Sequence, residues 1–110
     1  MVRNKAEIRS ILRAYRAELK KSGIRVVKMF LYGSYARGDA KPYSDIDVVV
    51  VSPDLIRFSP LKRQEFLAHK TIPIDAPLEV LGYTSAEFRK FKSTIFGQIL
   101  HQTGALIPSR

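Results

Sequence analysis

The chain has 110 residues, of which 45% are hydrophobic and 26% charged, the balance of an ordinary folded protein. It contains no cysteine, which excludes a disulfide framework and a thiolate metal site. No apolar run approaches the roughly 20 residues of a transmembrane helix, and the N-terminus lacks an apolar signal segment. We therefore expect one cytoplasmic domain over residues 1–110 with no membrane partner. The formal net charge of +9 favours a polyanionic partner.

The first predicted element is an amphipathic helix over residues 4–22. Asn4 and Glu7 have the spacing of a capping box, and Gly23 suits the C-terminal end. The apolar residues that recur at helical spacing on one face are Ile8, Ile11, Leu12, Tyr15 and Leu19.

Strand and helix patterns then alternate to the end of the chain. The predicted strands are 25–32, 45–51 and 78–83, and the predicted helices are 34–37, 60–70, 84–92 and 95–100. The continuous apolar tail of the second strand indicates burial on both faces, as in a central strand. This order predicts an α/β fold in which helices flank a short mixed sheet.

Two aspartates, Asp45 and Asp47, stand at the start of the second predicted strand. Residues i and i+2 of a strand point to the same face, so the two carboxylates project side by side. They repel one another unless a cation lies between them. Because Mg²⁺ prefers oxygen ligands and keeps positions open for substrate phosphates, the pair indicates half of a metal site.

A glycine-serine pair, Gly33 and Ser34, ends the first predicted strand. Gly33 lets the backbone approach a ligand closely, and Ser34 adds a hydroxyl group to the amides of a helix start, which bind phosphate. Arg37 and Lys41 follow and are placed to neutralise phosphate charge. Either motif alone is usually a turn or a solvated strand start. Together, each at the end of a predicted strand, they favour phosphoryl or nucleotidyl transfer.

Over these residues the sequence resembles the minimal nucleotidyltransferases of the DNA polymerase β superfamily. Their signature is Gly-Ser, about ten residues, and then Asp-x-Asp; here it reads Gly33-Ser34, ten residues, Asp45-Ile46-Asp47. The neighbouring stretches R-G-D-A and S-D-I-D-V-V-V-V are also typical of the family. The resemblance extends from the first helix to about Phe88.

The resemblance implies the nucleotidyltransferase α/β core and a transfer that uses two Mg²⁺ ions. Asp45 and Asp47 would bind the ions, one on the triphosphate of ATP or another NTP and one that activates an acceptor hydroxyl. Gly33 and Ser34 would bind the β- and γ-phosphates. Pyrophosphate would leave as a nucleoside monophosphate is added to the acceptor.

The family also uses a third carboxylate, on a neighbouring strand, to hold the catalytic metal. Glu79 in the third predicted strand is our preferred residue, because a carboxylate within an apolar strand is unfavourable unless it has a partner or a function. Asp75, which lies before that strand, remains the alternative, and Glu79 as an edge residue facing water remains the non-functional interpretation. Family members often carry Asp where this chain has Glu79.

Small members of this family often act as antitoxins beside a helical HEPN-domain toxin, a ribonuclease, by transferring AMP to one of its tyrosines. The resemblance therefore implies a protein adenylyltransferase with a HEPN-type partner. A chain of this length has no second domain for a large acceptor, so we expect the partner, or a second copy in a homo-oligomer, to complete the cleft.

Three alternatives remain open from the sequence. The first is a transferase that acts on a small molecule or on RNA. The second is a catalytically weak or inactive module that binds nucleotide and neutralises its partner by contact. The third is a domain that contacts nucleic acid directly through its Lys/Arg surface, although such side chains often only solvate a helix face.

Overall fold

The computed structural model of the protein describes residues 2–91, 93, 94, 97 and, for the backbone, 105–106. In chain order its helices and strands are α1 (Lys5–Lys21), β1 (Lys28–Tyr32), α2 (Ser34–Arg37), β2 (Ile46–Val51), a 3₁₀ helix (Pro53–Arg57), α3 (Pro60–His69), β3 (Leu78–Tyr83), α4 (Ser85–Phe91) and β4 (Ala105–Leu106). The predicted α/β class with a short mixed sheet is confirmed. No helix in these ranges is both long enough and apolar enough to cross a membrane.

The strands form one sheet in the order β3-β2-β1-β4. β1 is antiparallel to both β2 and β4, whereas β2 is parallel to β3. A parallel pair needs a crossover connection, and here the 3₁₀ helix and α3 supply it. β2 lies inside the sheet and is buried at five of its six positions, so the prediction of a central strand is confirmed.

The two faces of the sheet pack against different helices. One face carries Val48 and Val50 and packs on α1 and α3 in the larger core cluster. The opposite face carries Val49 and Val51 and packs on Phe88 of α4. Successive residues of a strand point to opposite faces, so Asp47 shares the α4 side with Val49.

Capping boxes fix the first turns of α1, as predicted, and of α4. Asn4 accepts a hydrogen bond from the Glu7 amide at 2.9 Å, and the Glu7 carboxylate accepts one from the Asn4 amide at 3.1 Å. Thr84 and Glu87 form the same reciprocal pair at the start of α4, with distances of 2.8 and 3.1 Å. Each pair satisfies two backbone donors that a helix start leaves unpaired.

Three features of the structure differ from the predicted elements. The first strand begins at Lys28 rather than at residue 25, because the Arg25 amide binds Asp54 and the Val26 carbonyl binds Arg16. The 3₁₀ helix Pro53–Arg57 was not predicted. The pairing of Ala105–Leu106 with β1 was not predicted either. The predicted helix 95–100 lies outside the described residues except for Gly97.

Candidate active site

The predicted functional residues of the three strands meet at one end of the sheet. Because β1 runs antiparallel to β2, its last residue lies beside the start of β2, at the same end of the sheet as the start of β3. The register pairs Tyr32 with Asp47 and Asp47 with Glu79. The three side chains therefore form one row on the α4 side of the sheet, and the structure brings Glu79 directly beside Asp47.

Gly33 follows β1 and packs its backbone against Asp47. Its φ of 72° lies in the left-handed region, where side chains are strained. A Cβ atom at this position would collide with Oδ2 of Asp47 and lie 3.1 Å from its carboxyl carbon. The position therefore requires glycine both for its backbone conformation and for the closeness of the carboxylate.

The backbone of the Gly-Ser turn continues directly into α2. The Gly33 carbonyl accepts from the Ala36 and Arg37 amides at 3.1 and 3.0 Å, and the Ser34 carbonyl accepts from the Gly38 and Asp39 amides at 2.9 and 3.0 Å. The predicted Gly-Ser turn at a helix start is thus what the structure contains. Ser34 is the first residue of that helix.

The environment of Asp47 opposes its ionisation. Burial raises the pKa of Asp47 to about 6, and the charge and hydrogen bonding of Glu79 and the charge of Asp45 act in the same direction. Arg37 opposes the rise. Desolvation and like charges both disfavour the carboxylate form, and a nearby cation would favour it.

The remaining predicted residues lie outside this row. Asp45 is exposed one position before β2, and Arg37 ends α2 with its Nε 3.3 Å from Oδ2 of Asp39. Lys41 is exposed in the loop before β2, where its amide donates to the Ser44 hydroxyl at 2.8 Å.

Asp75, the alternative third carboxylate, is exposed in the segment before β3. The β2–β3 register begins only at Leu78, so strand pairing does not carry Asp75 to a position opposite Asp47. The geometry favours Glu79 over Asp75 as the neighbour of the aspartate pair.

The carboxylates of the row, together with the nearby Asp45, fit a hard cation. Asp45, Asp47 and Glu79 offer only carboxylate oxygens, the ligands that Mg²⁺ prefers over softer metals. Within the described ranges, no three His, Cys, Asp or Glu side chains are arranged to hold a metal ion as they stand. Mutual repulsion of the carboxylates opposes such a cluster when no cation lies between them.

Tyr32 belongs to the row, although we did not predict it as a site residue. It is half-buried, and burial together with the charges of Asp47 and Glu79 raises its pKa to about 12. The sequence feature that could have identified Tyr32 is its position directly before Gly33. When two successive strands are antiparallel, the last residue of the first strand pairs with the start of the second.

A groove of about 480 Å³ lies away from these residues, between α3, the second half of β3 and α4. Its walls include Arg63, Tyr83 and Phe91, and none of the predicted site residues lines it. The candidate site is therefore defined by its carboxylates and its turn rather than by a deep cavity.

Comparison with known proteins supplies the family. The sequence profile of the nucleotidyltransferase domain matches residues 9–99. The chain belongs to the nucleotidyltransferase domain family. The predicted resemblance to the minimal nucleotidyltransferases, and the nucleotidyltransferase class of enzyme, are confirmed.

Two curated proteins are similar to part of this nucleotidyltransferase. A candidate protein adenylyltransferase of Methanocaldococcus jannaschii is 42% identical over 60 residues, which are 52% of this chain and 69% of that protein. Protein adenylyltransferase MntA of Thermococcus cleftensis is 43% identical over 65 residues, which are 56% of this chain and 62% of that protein.

Two solved structures share the fold of this nucleotidyltransferase. A candidate nucleotidyltransferase from Sulfolobus solfataricus has a TM-score of 0.62 at 18% identity, over 96% of this chain and 89% of that one. A toxin–antitoxin structure with AMP-PNP has a TM-score of 0.62 at 21% identity, over 88% of this chain and 72% of that one. Both confirm the predicted nucleotidyltransferase core.

Proposed function

We propose that this nucleotidyltransferase is a Mg²⁺-dependent protein adenylyltransferase that moves AMP from ATP to a hydroxyl group of a partner toxin. The observation that carries the proposal is the row of Asp47 and Glu79 on paired strands, with the Gly33 backbone packed against Asp47. A carboxylate row beside a glycine turn at a helix start suits a reaction that positions a triphosphate and stabilises its charge.

Each residue of the site has a role in this proposal. Asp45, Asp47 and Glu79 hold the metal ions, and Glu79 orients the acceptor hydroxyl from the neighbouring strand. The Gly33 backbone and the Ser34 hydroxyl bind the β- and γ-phosphates. Two further basic residues, Arg37 and Lys41, reduce the negative charge of the bound triphosphate.

When bound, the metal would neutralise charge on the phosphates and lower the pKa of the acceptor hydroxyl. Asp47 must be ionised to hold the ion, whereas its protein environment favours the protonated form. A divalent cation beside Asp47 and Glu79 would offset the burial and repulsion that raise the Asp47 pKa. Ligand binding and loss of a proton from this pair are therefore coupled.

The acceptor is proposed from the relatives and from the resemblance. One relative is named protein adenylyltransferase MntA, and one structural neighbour is a toxin–antitoxin structure with AMP-PNP. We extend these names to an acceptor tyrosine on a helical HEPN-type toxin. The modification would silence the toxin, and this chain would act as its antitoxin.

Contact without chemistry is the competing function. It is favoured by the position of Glu79, which is exposed on a strand at the edge of the sheet, as in the non-functional interpretation of that residue. In that case the fold would neutralise the toxin by binding to it, and Asp47 would be dispensable.

The deciding experiment is a transfer assay with α-labelled ATP, Mg²⁺ and the protein encoded by the neighbouring gene as the candidate partner. Asp47→Asn removes one charge from the row. Asp75→Asn makes the same chemical change at an exposed carboxylate that strand pairing leaves outside the row, and it serves as the matched control. Circular dichroism of each variant reports whether the fold is kept.

Metal-dependent label on a tyrosine of the partner, lost in Asp47→Asn and kept in Asp75→Asn, is the expected result. Label on added RNA or on a small molecule instead would keep the site and replace the acceptor. Absence of label with every NTP, while Asp47→Asn still binds and silences the partner, would overturn the enzymatic proposal in favour of contact.

A further inference from the structure

One flank of α1 carries a continuous basic surface that the proposed chemistry does not use. We call it the basic flank; its residues are Lys5, Arg9, Arg13, Arg16 and Lys20. At 3.6 residues per turn, these five positions lie within about 80° of one another around the helix axis. At a rise of 1.5 Å per residue, they extend over about 22 Å.

The two acids of α1 lie on its other side. Glu7 closes the capping box with Asn4, and Glu18 pairs with Lys21 at 3.1 Å. The basic flank therefore presents five positive charges with no acid of its own helix among them. Arg16 is partly held in place, because its Nη2 donates to the Val26 carbonyl at 2.6 Å.

The form of this surface matches a linear polyanion better than a folded protein. Protein interfaces usually have an apolar centre. The large apolar side chains that are exposed among the described residues are Val2, Val27, Tyr43, Ile56, Leu61 and Ile72, and none belongs to α1. Arginine, which makes up three of the five residues, has a planar donor fork that matches phosphate oxygens.

We propose that the basic flank binds the phosphodiester backbone of a nucleic acid. A straight row of cations follows a chain of regularly spaced phosphates, and such contacts need no base sequence. The buried face of α1 packs on the side of the sheet opposite to Asp47 and Glu79. A nucleic acid on the basic flank therefore leaves the carboxylate row open, and the inference does not rest on the proposed transfer.

The test measures fluorescence anisotropy of labelled single-stranded RNA and of duplex DNA against the full chain over a range of KCl concentrations. The variant Arg9→Glu/Arg13→Glu reverses two exposed charges on the basic flank. Lys21→Glu/Lys62→Glu is the matched control, because it makes the same change in net charge at two lysines whose side chains are each 72% exposed and lie outside the flank.

We expect the flank variant to bind RNA at least about tenfold more weakly than the control. We also expect its slope of log affinity against log salt to be shallower by about 1.4, at about 0.7 per lost phosphate contact on a single strand. Tighter binding of RNA or of DNA identifies which nucleic acid is held. Asp47→Asn should bind as the wild type does, whatever its activity.

Equal weakening in both double variants would show that net charge alone attracts the nucleic acid, and it would overturn the assignment to the basic flank. Displacement of the RNA by polyglutamate at equal charge concentration would overturn the choice of nucleic acid in favour of an acidic protein. Melting temperatures of the two variants within a few degrees of each other keep the comparison valid, since both pairs replace exposed side chains.

Discussion

Gln64 occupies the outer edge of β3 and binds Gly82 as a neighbouring strand would. Its Oε1 accepts from the Gly82 amide at 3.3 Å, while its Nε2 donates to the Val80 carbonyl at 3.1 Å. Arg63 adds a third bond, from Nη1 to the Gly82 carbonyl at 3.3 Å. Because β3 is at one edge of the sheet, these side chains cover backbone groups that could otherwise pair with another strand.

Replacing this side chain should destabilise the domain and promote its association. Gln64→Ala leaves the Gly82 amide and the Val80 carbonyl without their side-chain partner, and we expect the free energy of unfolding to fall by about 1–2 kcal/mol. Urea denaturation measures that loss, and sedimentation velocity detects association through the uncovered edge. Glu65→Ala, on the exposed side of the same helix, should change neither measurement appreciably.

The pair of Arg63 and Glu87 should also contribute to stability. The Arg63 side chain is only 7% exposed and donates to both Glu87 oxygens, at 2.6 and 3.3 Å. Glu87→Gln leaves the buried guanidinium without its counter-charge. Because the Glu87 side chain is 43% exposed, we expect a loss of about 1–2 kcal/mol rather than the larger cost of a fully buried pair.

The matched control for that change is Glu65→Gln. Glu65 pairs with Lys62 at 3.8 Å, and both side chains are mostly exposed. In chemical denaturation, Glu65→Gln should lower the free energy of unfolding by less than about 0.5 kcal/mol. Equal losses in the two variants would contradict a special role for the Arg63–Glu87 pair.

The same pair should make stability depend on acidity. Burial raises the pKa of Glu87, but hydrogen bonds from Arg63 and Thr84 outweigh burial and leave the pKa below its ordinary value of 4.5. The unfolded chain therefore takes up the proton first as pH falls. The stabilisation that the Arg63–Glu87 pair provides is complete above pH 4.5. It disappears as the pH falls through the lower pKa that Glu87 has in the folded protein. Denaturation curves of the wild type and Glu87→Gln should accordingly converge towards low pH.

Alanine substitutions at Gly33 and Gly38 can separate two effects of adding a side chain, the strain of the backbone and the collision with Asp47. Both glycines have positive φ, 72° and 85°, but a Cβ at Gly38 would meet no atom within 4 Å. Either change to alanine should cost about 1–3 kcal/mol of backbone strain. Only Gly33→Ala should also displace Asp47 and weaken Mg–ATP binding, which isothermal titration calorimetry measures. Equal binding by both variants would remove Gly33 from the proposed site.

Features that depend on near neighbours could be predicted from the sequence. The capping boxes at Asn4 and Thr84 each close over three residues, so their residue types determine the contact. The Gly33 turn and the start of the strand at Asp47 could also be predicted, because both are local patterns. The first is a glycine between an apolar strand and a helix, and the second is a pair of acids before a run of valines. The α4 start and the central strand followed from the same kind of signal.

Features that depend on the assembled sheet could not be predicted. Gln64 and Arg63 are polar residues of a helix whose sequence has no unusual feature. Only the position of β3 brings Gln64 to the edge of that strand. The same position brings Arg63 to Glu87, which is 24 residues away along the chain. The sequence favoured Glu79 over Asp75 as the third carboxylate, but only the β2–β3 register places Glu79 opposite Asp47. Tyr32 entered the site through the β1–β2 register in the same way.

The parallel pairing of β3 also decides the order in which the site should come apart. Asp47 belongs to the antiparallel pair β1–β2, and Gly33 directly follows β1, whereas Glu79 arrives through the α3 crossover on a strand at the edge of the sheet. Local openings require less free energy than global unfolding, and edge elements open most readily. Amide protons of β3 should therefore exchange with solvent before those of β2. On warming, the site should lose Glu79 while Asp47 still packs against the backbone of Gly33.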